Sequence, residues 1–340
     1  MTIDERALVE VHDLHVAFHG QDAIAHAVNG VSFDLLRGEV LCILGESGSG
    51  KSVTMRALMR LLPARKTRIS GRIHVDGHDI LALDDAAIAD LRGPTVAMIF
   101  QEPMTAFDPV FTIGDQIAET IRRHEHVTDQ EARRRALELL EMVQIPSAAR
   151  RLNNYPFEMS GGMRQRAMIA LALSCRPSLL LADEPTTALD ATVQIQILLL
   201  LRQLQKELGM AVIFVTHDIG VAVEIADRIA VMYAGRFVET GGLRPVLQSP
   251  SHPYTRGLMA STVKRGMRGS RLQAVDGAPP DLTRLPQGCA FAARCGQVAP
   301  VCLADQPGHT AIAPGHVVAC AMAGANKVPG CQTKIGDLAR

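Results

Sequence analysis

Hydrophobic and polar positions along the chain alternate in two rhythms. Val31, Phe33 and Leu35 alternate with polar or small residues, the pattern of a half-buried strand, and residues 1–40 read as β. Val40–Leu44 is a short unbroken apolar run, as in a strand buried on both faces. A helix is expected from about Lys51 to Leu62, with Pro63 as its stop. Ile69–Asp76 alternates again and meets a turn signal at Asp76-Gly77. Thr95–Phe100 reads as a buried strand. Residues 113–150 read as mainly helical and charged, and a third element spans 159–175. Three further apolar strands, Leu179–Ala182, Ala211–Val215 and Ile229–Tyr233, are separated by helices, and Gly235 turns the last into Arg236–Glu239. This alternation predicts an α/β fold with a largely parallel sheet, interrupted by an inserted helical subdomain at about 102–165. From about Gln248 the periodicity fades and Pro and Gly become frequent, which places a domain boundary at 248–252.

Composition narrows the picture. A length of 340 residues suits about two domains, and 47% hydrophobic residues suffice for a sizeable core. The formal net charge of +0 gives no electrostatic footprint for nucleic acid. The most apolar region, Ala167–Ala182, is broken by Arg176 and Pro177 and is too short to span a bilayer. The N-terminal MTIDERALVEVHD lacks a basic region followed by an apolar core, so it is not read as a secretory signal. The expectation is a cytosolic chain whose membrane role comes through partners. Of seven cysteines, Cys42 and Cys175 lie alone in apolar segments. Cys289, Cys295, Cys302, Cys320 and Cys331 crowd the C-terminal region, where a reducing compartment suggests metal before disulfide.

Two motifs carry chemistry. Gly45-Glu46-Ser47-Gly48-Ser49-Gly50-Lys51-Ser52 fits G-x-x-x-x-G-K-[ST] between a buried strand and a helix. Its glycines let backbone N–H groups converge on phosphate oxygens, and the helix that begins there adds its positive end. Lys51 is expected to reach the β- and γ-phosphates and Ser52 to ligate Mg²⁺, with Val53 completing the contact set. Asp183 and Glu184 close the run Leu179–Ala182, at the strand end where open α/β sheets bind ligands. Asp183 is placed to hold Mg²⁺, and Glu184 is the candidate for polarising an attacking water.

At this point the chain resembles the ATPases of ABC transporters. Met159-Ser160-Gly161-Gly162-Met163-Arg164-Gln165-Arg166 looks like their signature sequence, with Met159 in place of the usual Leu. The resemblance implies that Gln101 is the Q-loop glutamine, contacting Mg²⁺ and the reacting water. It makes Ala188-Leu189-Asp190 the D-loop and His217 the switch histidine at the γ-phosphate. Phe18 is either the aromatic that stacks on adenine or a core residue. The implied machine is a head-to-tail pair of such domains, in which Ser160, Gly161, Gly162 and Gln165 serve the partner's ATP. Water attacks the γ-phosphate, and membrane subunits turn the resulting opening and closing into alternating access.

The tail narrows the resemblance. Ser251-His252-Pro253-Tyr254-Thr255-Arg256-Gly257-Leu258 and Gly288-Cys289-Ala290-Phe291-Ala292-Ala293-Arg294-Cys295 look like the C-terminal extension of dipeptide/oligopeptide importer ATPases, although Ala290 replaces the usual Pro, and the wording GESGSGKSVT, FQEPMTAFDP and TTALDATVQIQIL looks like the D-type subunit. The expected layout is an ABC ATPase domain over 1–250, with an N-terminal antiparallel β region, and a loop-rich extension over 251–340. Expected partners are a paralogous ATPase, two transmembrane permeases and an extracytoplasmic solute-binding protein, with this chain itself bound to the permeases at the cytoplasmic face of the membrane. Nickel or another small solute is an alternative cargo. A soluble ABC ATPase acting on nucleic acid or ribosomes is the alternative class. Five, six and seventeen residues separate Cys289, Cys295, Cys302 and Cys320, a spacing compatible with Zn²⁺ or an iron–sulfur cluster. The resemblance implies [4Fe–4S]. Cys331 falls outside the pattern and reads as a free thiol.

Overall fold

The computed structural model describes residues 7–187, 189–261 and 275–323. Ala188 and Cys331 lie outside the described residues. The chain begins with two long strands, β1 (Ala7–His19) and β2 (Ile24–Leu36). The fully buried β3 (Val40–Leu44) leads into helix α1 (Lys51–Leu58). That helix is shorter than expected: Arg60 takes a left-handed backbone (φ 48°) and its N–H bonds back to Ala57 O at 3.0 Å, so the helix ends before Pro63 is reached. Strand β4 (Thr67–Val75) turns back through Asp76-Gly77 into the short β5 (His78–Asp79). Both turn residues have positive φ, 51° and 80°, as a two-residue type I′ hairpin requires.

Next come α2 (Asp85–Leu91), β6 (Val96–Ile99), α3 (Pro103–Ala106), α4 (Ile113–His124), α5 (Asp129–Met142), α6 (Ala148–Arg151) and α7 (Gly161–Leu173). The caps explain the starts of α4 and α5. Thr112 accepts from Asp115 N and Thr128 from Glu131 N, so each threonine satisfies a helix N–H that has no partner inside the helix. Arg122, Arg123 and His124 in the last turn of α4 complement its negative end. Strand β7 (Leu179–Asp183), α8 (Ala191–Leu208), β8 (Ala211–Thr216), α9 (Ile219–Ile225), β9 (Arg228–Tyr233) and β10 (Arg236–Gly242) complete the alternation. Helix α10 (Leu243–Gln248) follows β10, and the extension keeps its loops yet also contributes α11 (Pro253–Ala260), α12 (Pro300–Ala304), β11 (Thr310–Ala313) and β12 (His316–Val318). Those last strands had no periodicity to announce them.

Residue contacts divide the chain into two compact units. The first comprises 1–9, 34–39 and 74–214. In it β6 and β7 pair in parallel, Val96 opposite Leu179, and α4, α5 and α7 pack together. The apolar face of α4, Ile113, Ile117 and Ile121, recurs every four residues, which puts all three on one side of the helix and buries them. The second unit comprises 10–33, 40–73 and 215–340. Its strands run β11–β12–β10–β9–β3. Strand β3 pairs with β9 in parallel, Leu41 opposite Arg228, while β9–β10, β10–β12 and β12–β11 are antiparallel. Among the described residues no helix is long and apolar enough to cross a membrane.

Candidate phosphate-binding site

In the second unit, β3 delivers the chain into the loop Gly45–Gly50, and α1 departs from it. Two positions exclude any side chain. A Cβ on Gly45 would lie 2.3 Å from Met232 O, and one on Gly50 (φ 104°) would lie 2.4 Å from Ala27 O. Lys51 is 5% exposed, and its Nζ donates to Gly45 O at 2.7 Å and Glu46 O at 2.8 Å. The ammonium thus sits on the loop itself, where a phosphate's oxygens can compete for it. Ser49 Oγ is buried with no hydrogen-bond partner. No acidic residue occupies the first turn of α1, so nothing in that turn offsets its positive end. A buried hydroxyl without a partner and a lysine ammonium beside a helix N-terminus are the features of an anion site. Burial pushes the Cys42 thiol up, which leaves it an inert packing residue beneath the loop.

Two sequence-predicted residues share this unit. Phe18 lies on β1, partly exposed and outside the buried core. His217 follows β8 and is exposed. Beside it Asp218 caps α9, accepting from Gly220 N at 2.7 Å, while its own N–H donates to Thr216 Oγ1 at 3.0 Å.

The first unit holds the remaining candidates. Asp183, 1% exposed, ends the wholly buried β7. Glu184 has φ 45°, a left-handed backbone that costs a non-glycine residue energy, and its Oε2 accepts from Thr187 Oγ1 at 3.0 Å. Gln101 is exposed just after β6. Ser160 is the N-cap of α7, its Oγ accepting from Met163 N at 3.3 Å, with Gly161 and Gly162 as the first helical residues. Gln165, one turn on, is 2% exposed, and its Nε2 has no hydrogen-bond partner. Asp190 caps α8, its Oδ1 accepting from Thr192 N at 3.1 Å and Val193 N at 3.0 Å.

The tail corrects one expectation. Cys289, Cys295, Cys302 and Cys320 do line one cavity, together with His252 and Phe291, but its volume is only 20 Å³. That is room for about one water. Burial raises the thiols of Cys289 and Cys320. Among the described residues no group of three or more His, Cys, Asp or Glu side chains is placed to hold a metal ion. The expected [4Fe–4S] cluster, and Zn²⁺ as its alternative, are therefore not supported. The described cysteines are free.

Sequence reasoning missed how the tail reaches the phosphate loop. Tyr254 OH accepts from Glu46 N at 2.9 Å, and Arg294 forms a two-pronged ion pair with the Glu46 carboxylate at 2.9 and 3.1 Å. It also missed a buried anchor. Glu239, 1% exposed, accepts from Ser251 N at 2.8 Å and His252 N at 2.9 Å, and pairs with His316 Nε2 at 2.7 Å. His252 and Tyr254 stand in the tail motif and Arg294 stands beside a cysteine. No spacing rule links a residue to a loop 248 positions away.

A glycine loop bearing a buried lysine, a strand-end acidic pair and a helix capped by Ser-Gly-Gly are the parts of a phosphate-loop nucleoside triphosphatase. Comparison with known proteins makes this specific. Residues 28–187 match the family model described as ABC transporter, and residues 238–302 match that of the oligopeptide/dipeptide transporter C-terminal region. The chain is 46% identical to the dipeptide transport ATP-binding protein DppD of Bacillus subtilis, over 92% of this chain and 94% of that one. It is 47% identical to the probable D,D-dipeptide transport ATP-binding protein DdpD of Escherichia coli, over 85% and 88%. A solved dimer of the ATP-binding cassette MJ0796, in a post-hydrolysis state with ADP and phosphate, matches with a TM-score of 0.63 at 30% identity, over 69% of this chain and 99% of that one. The chain belongs to the family of ABC-transporter ATP-binding subunits of di- and oligopeptide importers. It is an ATP-hydrolysing subunit with a phosphate-loop ABC core.

Proposed function

We propose that this subunit powers peptide import from the cytoplasmic face of the membrane, working with a paralogous ATPase, two transmembrane permeases and an extracytoplasmic solute-binding protein. The observation that carries the reading is the phosphate loop, with Lys51 buried on the carbonyls of Gly45 and Glu46 and Ser49 Oγ unpartnered. The similarity to peptide-importer subunits over most of the chain supports the cargo class. In this reading the ATPase domain covers 1–250, with its helical insertion at about 102–165, and the extension covers 251–340.

The residue roles follow from chemistry. Loop amides from Gly45 to Ser52 and the Lys51 ammonium bind the phosphates, and Phe18 stacks on the base. Ser52, Gln101 and Asp183 offer oxygen donors, the set a hard divalent ion prefers. Magnesium, when bound, supplies charge neutralisation at the phosphate oxygens. Glu184 accepts the proton of the attacking water, with its strained backbone fixing where the carboxylate points. His217 donates to the γ-phosphate. Ser160, Gly161, Gly162 and Gln165 serve the nucleotide of the partner ATPase, and Asp190 sets the start of α8.

The test is ATP turnover and peptide uptake by the assembled importer in proteoliposomes. Glu184→Gln is expected to retain ATP binding and to lose about 10²–10³-fold in hydrolysis, the usual worth of a general base. Near-normal hydrolysis would remove Glu184 from the mechanism. ATP-driven uptake of nickel in place of peptide would overturn the cargo.

A further inference from the structure

The phosphate loop is gripped from the C-terminal extension by a side chain whose donors are all committed. A guanidinium has five N–H donors in a rigid fork. In Arg294, Nη1 donates to Glu46 Oε2 at 2.9 Å and Tyr233 OH at 3.2 Å. Nη2 donates to Glu46 Oε1 at 3.1 Å and Val275 O at 2.9 Å, and Nε to Asp276 O at 2.8 Å. The side chain is 5% exposed and lies 5.7 Å from the Tyr233 ring centre and 5.8 Å from that of Phe291. Its orientation is over-determined: three bonds and two rings aim the fork, and the two remaining N–H groups hold the carboxylate.

Glu46 is gripped at three points. Its carboxylate meets Arg294, its N–H meets Tyr254 OH at 2.9 Å, and its carbonyl accepts from Lys51 Nζ at 2.8 Å and from Ser49 N at 3.2 Å. Tyr254 is itself fixed, fully buried with its ring 4.6 Å from that of Tyr233. A lateral shift of Glu46 would therefore carry the loop backbone and the lysine with it.

We propose that Arg294 is a positioning residue for ATP: from the C-terminal extension it fixes Glu46, and through Glu46 the shape of the phosphate loop and the place of Lys51. The inference rests on reading Gly45–Ser52 as the ATP phosphate site. It gives the extension a task at the nucleotide that requires no metal. Pre-organisation of this kind strengthens binding by removing the cost of ordering the loop.

The experiment is steady-state ATPase kinetics and fluorescent ATP-analogue binding on the assembled importer. Arg294→Ala is expected to raise the KM for ATP and the analogue Kd by about five- to tenfold, with kcat changed by less than about twofold, since uniform binding is what is lost. Arg294→Lys keeps the charge without the fork and should restore less than half of that affinity. Glu46→Gln should weaken binding comparably, and the double variant should be no worse than the poorer single, because both remove one interaction. A merely structural role would lower the melting temperature without changing KM and would make the two effects additive. Either result, or an unchanged KM in Arg294→Ala, overturns the proposal. Should Arg294→Ala fail to assemble, Arg294→Lys and Glu46→Gln decide by the same readout. Lys51→Ala separates the two levels. If it still binds the analogue, the phosphate-site reading fails; if it does not, while the Arg294 variants bind normally, only the positioning role fails.

Discussion

The phosphate loop and the cysteine cavity are both irregular segments crowded with reactive side chains, yet they offer a ligand opposite things. The loop has donors to spare: a lysine resting on replaceable carbonyls, a buried serine hydroxyl without a partner, and a helix whose first turn holds no acidic residue. The cavity has thiols in number but little room, 20 Å³ among the four of them. Residue types in the right order do not make a site. Unspent hydrogen-bonding capacity and space for the ligand do. The tail still acts on the loop, but through Arg294 and Tyr254 rather than through its sulfurs.

The largest effect that would sharpen the contrast is at Lys51. Lys51→Ala removes the ammonium from the loop carbonyls, and ATP turnover of the assembled importer should fall by about 10²–10³-fold, as when one preorganised donor is lost. The loop backbone comes next. Gly45→Ala puts a Cβ 2.3 Å from the backbone carbonyl of Met232, which cannot swing away as a side chain could. Overpacking of this sort costs about 1–3 kcal/mol. The variant should melt at lower temperature and bind ATP weakly, and wild-type behaviour would mean that β9 yields.

The tail has its own sensitivity, to pH. Burial, opposed by Glu239 and assisted by Arg256, lowers His252 from 6.5 to about 4. Its Nδ1 accepts from Tyr254 N at 3.1 Å, a role open only to the deprotonated nitrogen. Between pH 6.5 and about 4 the unfolded chain binds a proton that the folded chain refuses, so stability is intact above 6.5 and falls as pH drops through that window. Each pH unit of the window is worth about 1.4 kcal/mol, so the full loss approaches about 3 kcal/mol. Denaturation at pH 7 and pH 4.5 should show a steeper loss for wild type than for His252→Gln. Equal slopes would remove His252 from the pH response.

What could be read from the chain follows the same divide. Val40–Leu44 and the loop after it were legible because an apolar run, a glycine spacing and a lysine are consecutive letters with one structural outcome. The strands Leu179–Asp183 and Ala211–Thr216 were legible for the same reason, as buried runs with polar ends. The helix from Lys51 came out shorter because Arg60 turns left-handed, which nothing local announces. Strands β11 and β12 were silent because Thr310–Ala313 is largely exposed and His316 is inward-facing only through its pairing with Glu239. The Arg294–Glu46 pair was silent because it is a tertiary event between distant segments. The cysteines misled in the opposite way: their spacing described a ligand set, and the packing of Phe291 and His252 around them decided how much room remained.

The smallest expected effects are at the sulfurs. Cys302 is 7% exposed and its carbonyl accepts from Cys289 N at 2.7 Å, a backbone bond that substitution leaves in place. Cys302→Ala therefore loses only the packing of one sulfur, about 1 kcal/mol by analogy with small deletions from a core. Cys295→Ala, at a half-exposed position, should cost less still. Neither should change the KM for ATP, since neither thiol is among the hydrogen-bond partners of the Arg294 guanidinium. Thermal melts and ATPase kinetics on both variants check this, beside elemental analysis of the purified importer. Stoichiometric iron or zinc, or a collapse of ATP binding in Cys302→Ala, would break the comparison, because the cavity would then act as a site of its own. Small, additive losses in stability with ATP binding unchanged would leave the guanidinium, two residues along from Ala292 and one before Cys295, as the part of that segment on which the phosphate loop depends.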